Sequence, residues 1–283
     1  MLSFSSTIHF AVVLKDVLNT DYFRSRIKGK QMNGGKEMVG TISDMTETEA
    51  KFYVGDDEEI IRYMSLSKFM SLLVFKKLFF TNVKIFEDAH EGEIPAGFFK
   101  DWDKNFEEGY KGIQSHLNSV RNVYANCWNK FNGQESYALW KIYTDEESGV
   151  AIKTTVGKLK KALNNKKINV YAMQYIDSFE NKNTEVKFPK VGYKFQDCEV
   201  QTPIREVYKI KPYSYEEEIR ALFLDFSGEE PGKNVSIDLN ELIESVYVSP
   251  FAGGWFANLI KETIKGYGVN ETIVVHSEIP VRK

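Results

Sequence analysis

The sequence predicts an α+β fold, a single domain with a mixed, mostly antiparallel sheet covered by helices. Three observations point there. Short apolar runs of strand length recur, at Ile60–Met64, Leu78–Thr81, Val150–Ile152 and Val246–Val248. Segments in helical register separate them, each behind a capping residue or a glycine pair: Ser65, Thr155 and Gly253-Gly254. The composition, 42% hydrophobic, 14% aromatic and 27% charged over 283 residues, is that of a globular chain able to bury a real core.

Composition also narrows the partners. Net charge is -3 with both signs mixed along the chain, so no basic field favours nucleic acid as a partner. The two cysteines, Cys127 and Cys198, form no CxxC, which excludes a disulfide scaffold or a zinc finger and suits a reducing cytoplasm. No apolar run reaches the ~18 to 20 residues of a membrane span. The Phe10–Leu14 run is too short for a signal peptide and lacks a basic lead. The expected location is cytoplasmic, without a membrane partner.

Residues 1–59 read as an N-terminal extension. It comprises a helix with Ile8, Val12 and Lys15 in register, a basic patch from Arg24 to Lys30, a loop through Asn33-Gly34-Gly35, and an edge strand at Glu49–Val54. Residues 1–31 are either a protein-partner arm or a misassigned start, with Met32 or Met38 as the true beginning. Residues 60–283 form the domain proper. Ile60–Met64 is a strand, Ser65 caps a helix through Lys77, and Leu78–Thr81 is a short buried strand. Pro95 to Tyr124 reads as an amphipathic helical cover rich in aromatics. After the central segment, Thr155 caps a helix over Val156–Leu163 with a lysine face. Ile168–Ile176 alternates as one strand. Glu216, Glu218, Arg220, Leu222, Leu224 and Phe226 share one face of a late strand, charged at its start and apolar later. Asp238 caps a short helix, Gly253-Gly254 opens a longer one, and Glu271–His276 is the last strand.

The central segment, residues 126–155, carries the most information. An apolar strand ends in Cys127-Trp128 and Asn132-Gly133 turns the chain. A helix from Glu135 to Tyr143 would put Ser136, Trp140 and Tyr143 on one face, with Glu135, Leu139 and Ile142 beside it. It would be apolar around most of its circumference and packed inside. Aromatics with polar handles next to a Glu-Ser pair fit a ligand cleft, and they fit an ordinary core as well.

These residues form a recognisable pattern. Cys127-Trp128, then Glu135-Ser-x-Ala-Leu-Trp-Lys-x-Tyr143, then Gly149-Val-Ala-Ile-x-Thr-Thr155 resemble the central signature of a bacterial family of unknown function, DUF2971. Phe86-Glu-Asp-Ala-His-Glu-Gly92 resembles a second block, with Ala89 in place of a proline and His90 in place of an aromatic. Tyr213-Ser-Tyr-Glu-Glu-Glu-Ile-Arg220 resembles a third. The resemblance runs from about Ile60 to near the C-terminus and implies a family rather than a reaction.

Several chemistries lack their motifs. No GxGxxG follows a strand, HExxH and GxSxG are absent, and Gly228–Lys233 is one residue short of a phosphate loop. Four scattered histidines argue against a His-built metal centre. What remains is Arg62-Tyr63 early, aromatics in the middle and Glu216-x-Glu218 late, an order that resembles ADP-ribosyltransferases. The resemblance implies NAD as co-substrate and a cytosolic effector of toxin or phage-defence type. Glu218, with Glu216 and Arg220, would be catalytic, the carboxylate steadying an oxocarbenium-like transition state in a dry cleft. Arg62, Tyr63, Thr81, Trp140 and Tyr143 would bind substrate. Asp88, Glu91, Trp128, Glu135 and Ser136 complete the candidate binding set. Glu218–Arg220 reads equally as an internal ion pair closing a sheet. The alternatives are a metal-dependent phosphoester or nucleic-acid hydrolase using Glu87, Asp88, Glu91 and Glu218, or a non-enzymatic sensor whose cleft takes a small ligand or peptide.

Overall fold

A computed structural model describes residues 50–281, apart from 106, 112–121, 166, 196–197 and 226–229, and the backbone alone for 190–203. The expected N-terminal helix, basic patch and glycine loop lie outside the described residues, as does Phe226. All the described residues fall in one compact unit, Met45–Lys283.

The fold is α+β. Strand β1 (Glu59–Met64) leads into helix α1 (Leu66–Phe75) and strand β2 (Lys77–Asn82). Ser65, in extended backbone, caps α1 by accepting from the Lys68 amide. Lys76 ends the helix in left-handed backbone, its amide donating to Leu72 O, one residue before the expected end. Strand β3 (Asn122–Lys130) follows. It begins inside the stretch expected to be helical, because Val123 to Ala125 bury side chains alternately on both faces of the sheet. Helix α2 (Tyr137–Tyr143), strand β4 (Val150–Thr155) and helix α3 (Val156–Leu163) come next, with Ser136 and Thr155 as caps.

The single strand expected over Ile168–Ile176 is two. Strand β5 (Asn169–Ala172) joins the main sheet, whereas β6 (Gln174–Ile176) pairs in parallel with β9 (Tyr208–Ile210) after Gln174 N is taken by Val207 O. Strands β7 (Lys190–Phe195) and β8 (Cys198–Pro203) form a separate hairpin. Strand β10 (Glu218–Asp225), β11 (Gly232–Ser236), helix α4 (Leu239–Leu242), β12 (Ser245–Val248), helix α5 (Gly254–Gly266) and β13 (Val274–His276) complete the chain. The expected last strand is shortened by a 3₁₀ turn over Glu271–Ile273, capped by Asn270. The strand expected at Glu49–Val54 is a single bridge, Tyr53 to Tyr171. Phe52 beside it is fully buried, so the packed body includes residues ahead of Ile60.

Nine strands build the main sheet in the order β11-β2-β3-β1-β4-β12-β13, with β10 and β5 branching from β3. All of its pairings are antiparallel except β12 with β13. The branching follows from the register. β10 pairs with β3 along its length. On the opposite edge β1 holds only Asn129 and Lys130, and β2 holds only Ala125 and Tyr124. Extended further, Tyr63 and Phe79 would both face Cys127. Neither arrives, because β1 diverges to pair with β4 and β2 diverges to pair with β11. The sheet therefore forks at Asn126–Trp128, and α1 joins the two prongs.

Apolar side chains cover both faces. On one, α1, α3 and α5 pack over Ile60, Met64, Tyr124, Trp128 and Ile152. The other has two separate covers. Helix α2 lays Leu139 and Trp140 on Ile61, Tyr63 and Ala151, while residues 173–208 lay Ile176, Phe188 and Tyr208 over Ala125 and Leu222. Cys127, Asn129, Glu218 and Arg220 lie in register between those two covers.

Candidate active site

A cleft of about 1100 Å³ opens at the fork. Because the sheet is parted there, the cleft reaches side chains of both faces, Arg62 and Trp128 from one and Cys127, Glu218 and Arg220 from the other.

Its floor is a buried ion cluster built from four segments. The β10 alternation turns Glu218 and Arg220 inward, with relative exposures of 5% and 0%. Arg220 donates from Nε to Glu218 Oε1 at 2.7 Å, from Nη1 to Glu91 Oε1 at 2.6 Å and Glu206 O at 3.1 Å, and from Nη2 to Glu91 Oε2 at 2.9 Å and Glu218 Oε2 at 3.2 Å. A guanidinium has five N–H groups, and each of these has an acceptor. Lys209 of β9 reaches Glu216 Oε2 at 2.6 Å and Glu218 Oε2 at 2.8 Å. Tyr143 at the end of α2 donates to the other Glu216 oxygen at 2.7 Å. Glu216 precedes the strand, in the 3₁₀ turn Lys211–Glu216. The left-handed Glu217 (φ 40°) turns the chain into β10 and leaves Glu216 beside Glu218.

The loop after β2 delivers Glu91. Asp88 Oδ1 accepts from the His90 amide at 2.9 Å and folds the loop tightly. Gly92 follows at φ +73°, and a Cβ there would come within 3.3 Å of Glu206 Oε1. A glycine suits this turn on both counts, the left-handed backbone and the close approach to the cluster.

Burial and charge oppose each other in the cluster. Burial alone would raise the pKa of Glu218, but Arg220 and Lys209 outweigh it and hold the pKa down to about 2. Glu91 moves the other way. Burial pushes its pKa up, and Arg220 offsets only part of that against Glu218 and Glu206. Burial would lower the pKa of Lys209, yet Glu218 and Glu216 raise it on balance. Burial, then Glu216, pushes the Tyr143 phenol up. The Cys127 thiol is pushed well up, first by burial and then by Glu218, so it stays protonated and a poor nucleophile.

The rest of the cleft has a different character. Arg62 lies over the Trp128 ring at 6.0 Å and, among the described residues, has no carboxylate or hydrogen-bond partner. Burial lowers its pKa from the ordinary arginine value. Lys68 and Lys77 line the same end, with no ion pair among the described residues, and exposed Phe75, Phe79 and Ile85 form an apolar wall. The cleft is thus cationic and aromatic at one end and rich in carboxylates at the other.

Ten of the thirteen residues singled out from the sequence line this cleft. They are Arg62, Tyr63, Thr81, Asp88 and Glu91, together with Trp128, Tyr143, Glu216, Glu218 and Arg220. Glu135, Ser136 and Trp140 do not. Trp140 is fully buried against Tyr63 at 5.0 Å, beneath the sheet-facing surface of α2, while Tyr143 beside it on the helix is exposed toward the cleft, and the Trp140 indole N–H has no acceptor among the described residues. The helix is a surface helix rather than an internal one, since Tyr137, Ile142 and Tyr143 are exposed. Ser136 caps it and Glu135 accepts from Ser277. The lysine face of α3 is occupied within the fold, Lys158 by Glu244, Lys160 by Asp56 and Lys161 by Glu241. Sequence reasoning missed Lys209, Lys68, Lys77 and Glu206. Lys209 lies in an irregular stretch with no periodicity to mark it as inward-facing. No group of three or more His, Cys, Asp or Glu side chains among the described residues is arranged to hold a metal.

Fold and site together define an α+β protein with a charged cleft at a forked sheet. Within it, residues 139–221 match the family model described as "Protein of unknown function (DUF2971)". The match takes in α2 from Leu139 onward, β4 and the Tyr213–Arg220 block, including Tyr143, Lys209, Glu216, Glu218 and Arg220. The blocks around Phe86–Gly92 and Cys127-Trp128 lie outside it. No curated protein and no solved structure matches the chain. No helix among the described residues is long and apolar enough to cross a membrane.

Proposed function

We propose that this chain is an NAD-handling protein of the ADP-ribosyltransferase kind, an effector that takes NAD into the forked cleft. One observation carries the reading. Arg62 is a half-buried guanidinium with no anionic partner among the described residues, in the same cleft as a cluster of carboxylates. An unpaired cation held in low dielectric is a receptor for an anion. NAD has matching ends, an anionic pyrophosphate and a cationic nicotinamide ring. Among the described residues, the three carboxylates Glu91, Glu216 and Glu218 are paired with two cations, Lys209 and Arg220, so the floor carries more acidic than basic groups. In such a site the ribose–nicotinamide bond breaks with its electron pair leaving on nicotinamide. The cation developing on the ribose is stabilised by the carboxylates, and an acceptor nucleophile or water then captures it.

A second reading is a sensor that binds the same ligand without turnover. It is favoured by the saturation of Glu218, whose oxygens are already engaged by Arg220 and Lys209. Nicotinamide release from NAD separates the two. Release by the native chain that is lost in Glu218→Gln supports the enzyme. Thermal stabilisation by NAD without release supports the sensor. Neither stabilisation nor release ends both readings.

A further inference from the structure

The ion cluster leaves one acceptor in the cleft unexplained. Glu91 has both oxygens on Arg220, Glu216 has one on Tyr143 and one on Lys209, and Glu218 has both on Arg220 and Lys209. Asp88 differs. Its Oδ1 holds the turn through the His90 amide, but its Oδ2 is shielded from solvent and has no hydrogen-bond partner among the described residues. Glu87 next to it also has no partner among the described residues, but it is exposed and water serves it. A carboxylate oxygen cut off from water and left without a donor is destabilising, and such a group in a native fold calls for a reason.

We propose that Asp88 Oδ2 is the ligand-facing acceptor of the cleft, taking a hydrogen bond from a hydroxyl or amino group of the ligand whose anionic part is held by Arg62. This rests on the NAD reading and deepens it: Asp88, rather than the saturated Glu218, discriminates among anions by their donor groups. Arg62 is the cation without an anion, and Asp88 Oδ2 is the buried acceptor without a donor. A ligand satisfying both carries a phosphate-like charge and a sugar or base donor, as a nucleotide does. Inorganic pyrophosphate offers the charge alone.

Asp88→Asn tests this cleanly, because the amide oxygen still accepts from the His90 amide while an NH₂ replaces Oδ2 and turns the acceptor into a donor. NAD and inorganic pyrophosphate are titrated against the native chain, Asp88→Asn and Arg62→Gln, and each chain is melted without ligand. The expected result is a ratio of NAD to pyrophosphate affinity that falls tenfold or more in Asp88→Asn. Its ligand-free melting temperature stays level or rises, since Oδ2 has no donor among the described residues to lose. Arg62→Gln weakens both ligands together. The inference is overturned if Asp88→Asn keeps the native ratio, or if it melts several degrees lower, which would mark Asp88 as a structural partner. A native chain that binds neither ligand refutes the NAD reading itself and takes this inference with it.

Discussion

Every N–H of the Arg220 guanidinium has an acceptor, and that arrangement sets how the site responds to acid. The folded pKa of Glu218, about 2, lies below its ordinary value of 4.5. Its charge therefore stabilises the fold above that ordinary value, and the contribution fades as pH falls through the folded one. By linkage it amounts to on the order of 3 kcal/mol. Glu91 has the opposite sign. Its raised pKa favours folding in acid and fades as pH rises through its folded value. Glu218→Gln is expected to lower stability at neutral pH by about 3–5 kcal/mol, since it breaks a buried pair. It should also flatten the loss between the ordinary glutamate pKa and about 2. Thermal unfolding as a function of pH measures both, and an unchanged acid limb would remove Glu218 as its source. The inward pair was readable from strand alternation, because β-structure repeats every two residues. Lys209 was not readable, since only tertiary pairing of β9 with β6 turns it inward. Trp140 was misplaced because spacing sets it beside Tyr143 on the helix but does not say which of two neighbouring side chains is sealed against the sheet.

Among the elements, Asn126 holds the fork. Its Nδ2 donates to Phe79 O at 2.9 Å, and its Oδ1 accepts from the buried Trp128 indole at 2.7 Å. The side chain supplies a link between β2 and β3 where the backbone ladder has stopped. Asn126→Ala leaves an indole N–H and a carbonyl without partners, and a loss of about 2–4 kcal/mol is expected. Chemical denaturation quantifies it; a loss below about 0.5 kcal/mol would show that the fork stands without this link. Caps and helix starts were legible because Ser65, Thr155 and Asp238 act locally. The handover from β5 to β6 was not, because the partner strand β9 lies more than thirty residues away in sequence.

Across the whole molecule, the fork divides the sheet into halves that share β3. Cys127 pairs with Arg220 on one edge and with no residue on the other, among the described strands. Alternation along an antiparallel strand points its amide into the cleft. That amide should exchange hydrogen at least tenfold faster than those of Ala125 and Asn129, which pair toward β2 and β1. NAD should slow it, and equal protection at all three positions in the free protein would mean that the prongs close in solution. The existence of the sheet was legible from its apolar runs, but its branching was not, since each prong is drawn off by a strand distant in sequence.

The parted prongs have a mechanical meaning. A molecule lodged between them touches both halves of the sheet and works as a splint across a seam that the backbone leaves open. Occupancy is then felt as stiffness by β4 and β12 on one flank, which do not line the cleft, and by β11 on the other, which reaches it only through Asn234.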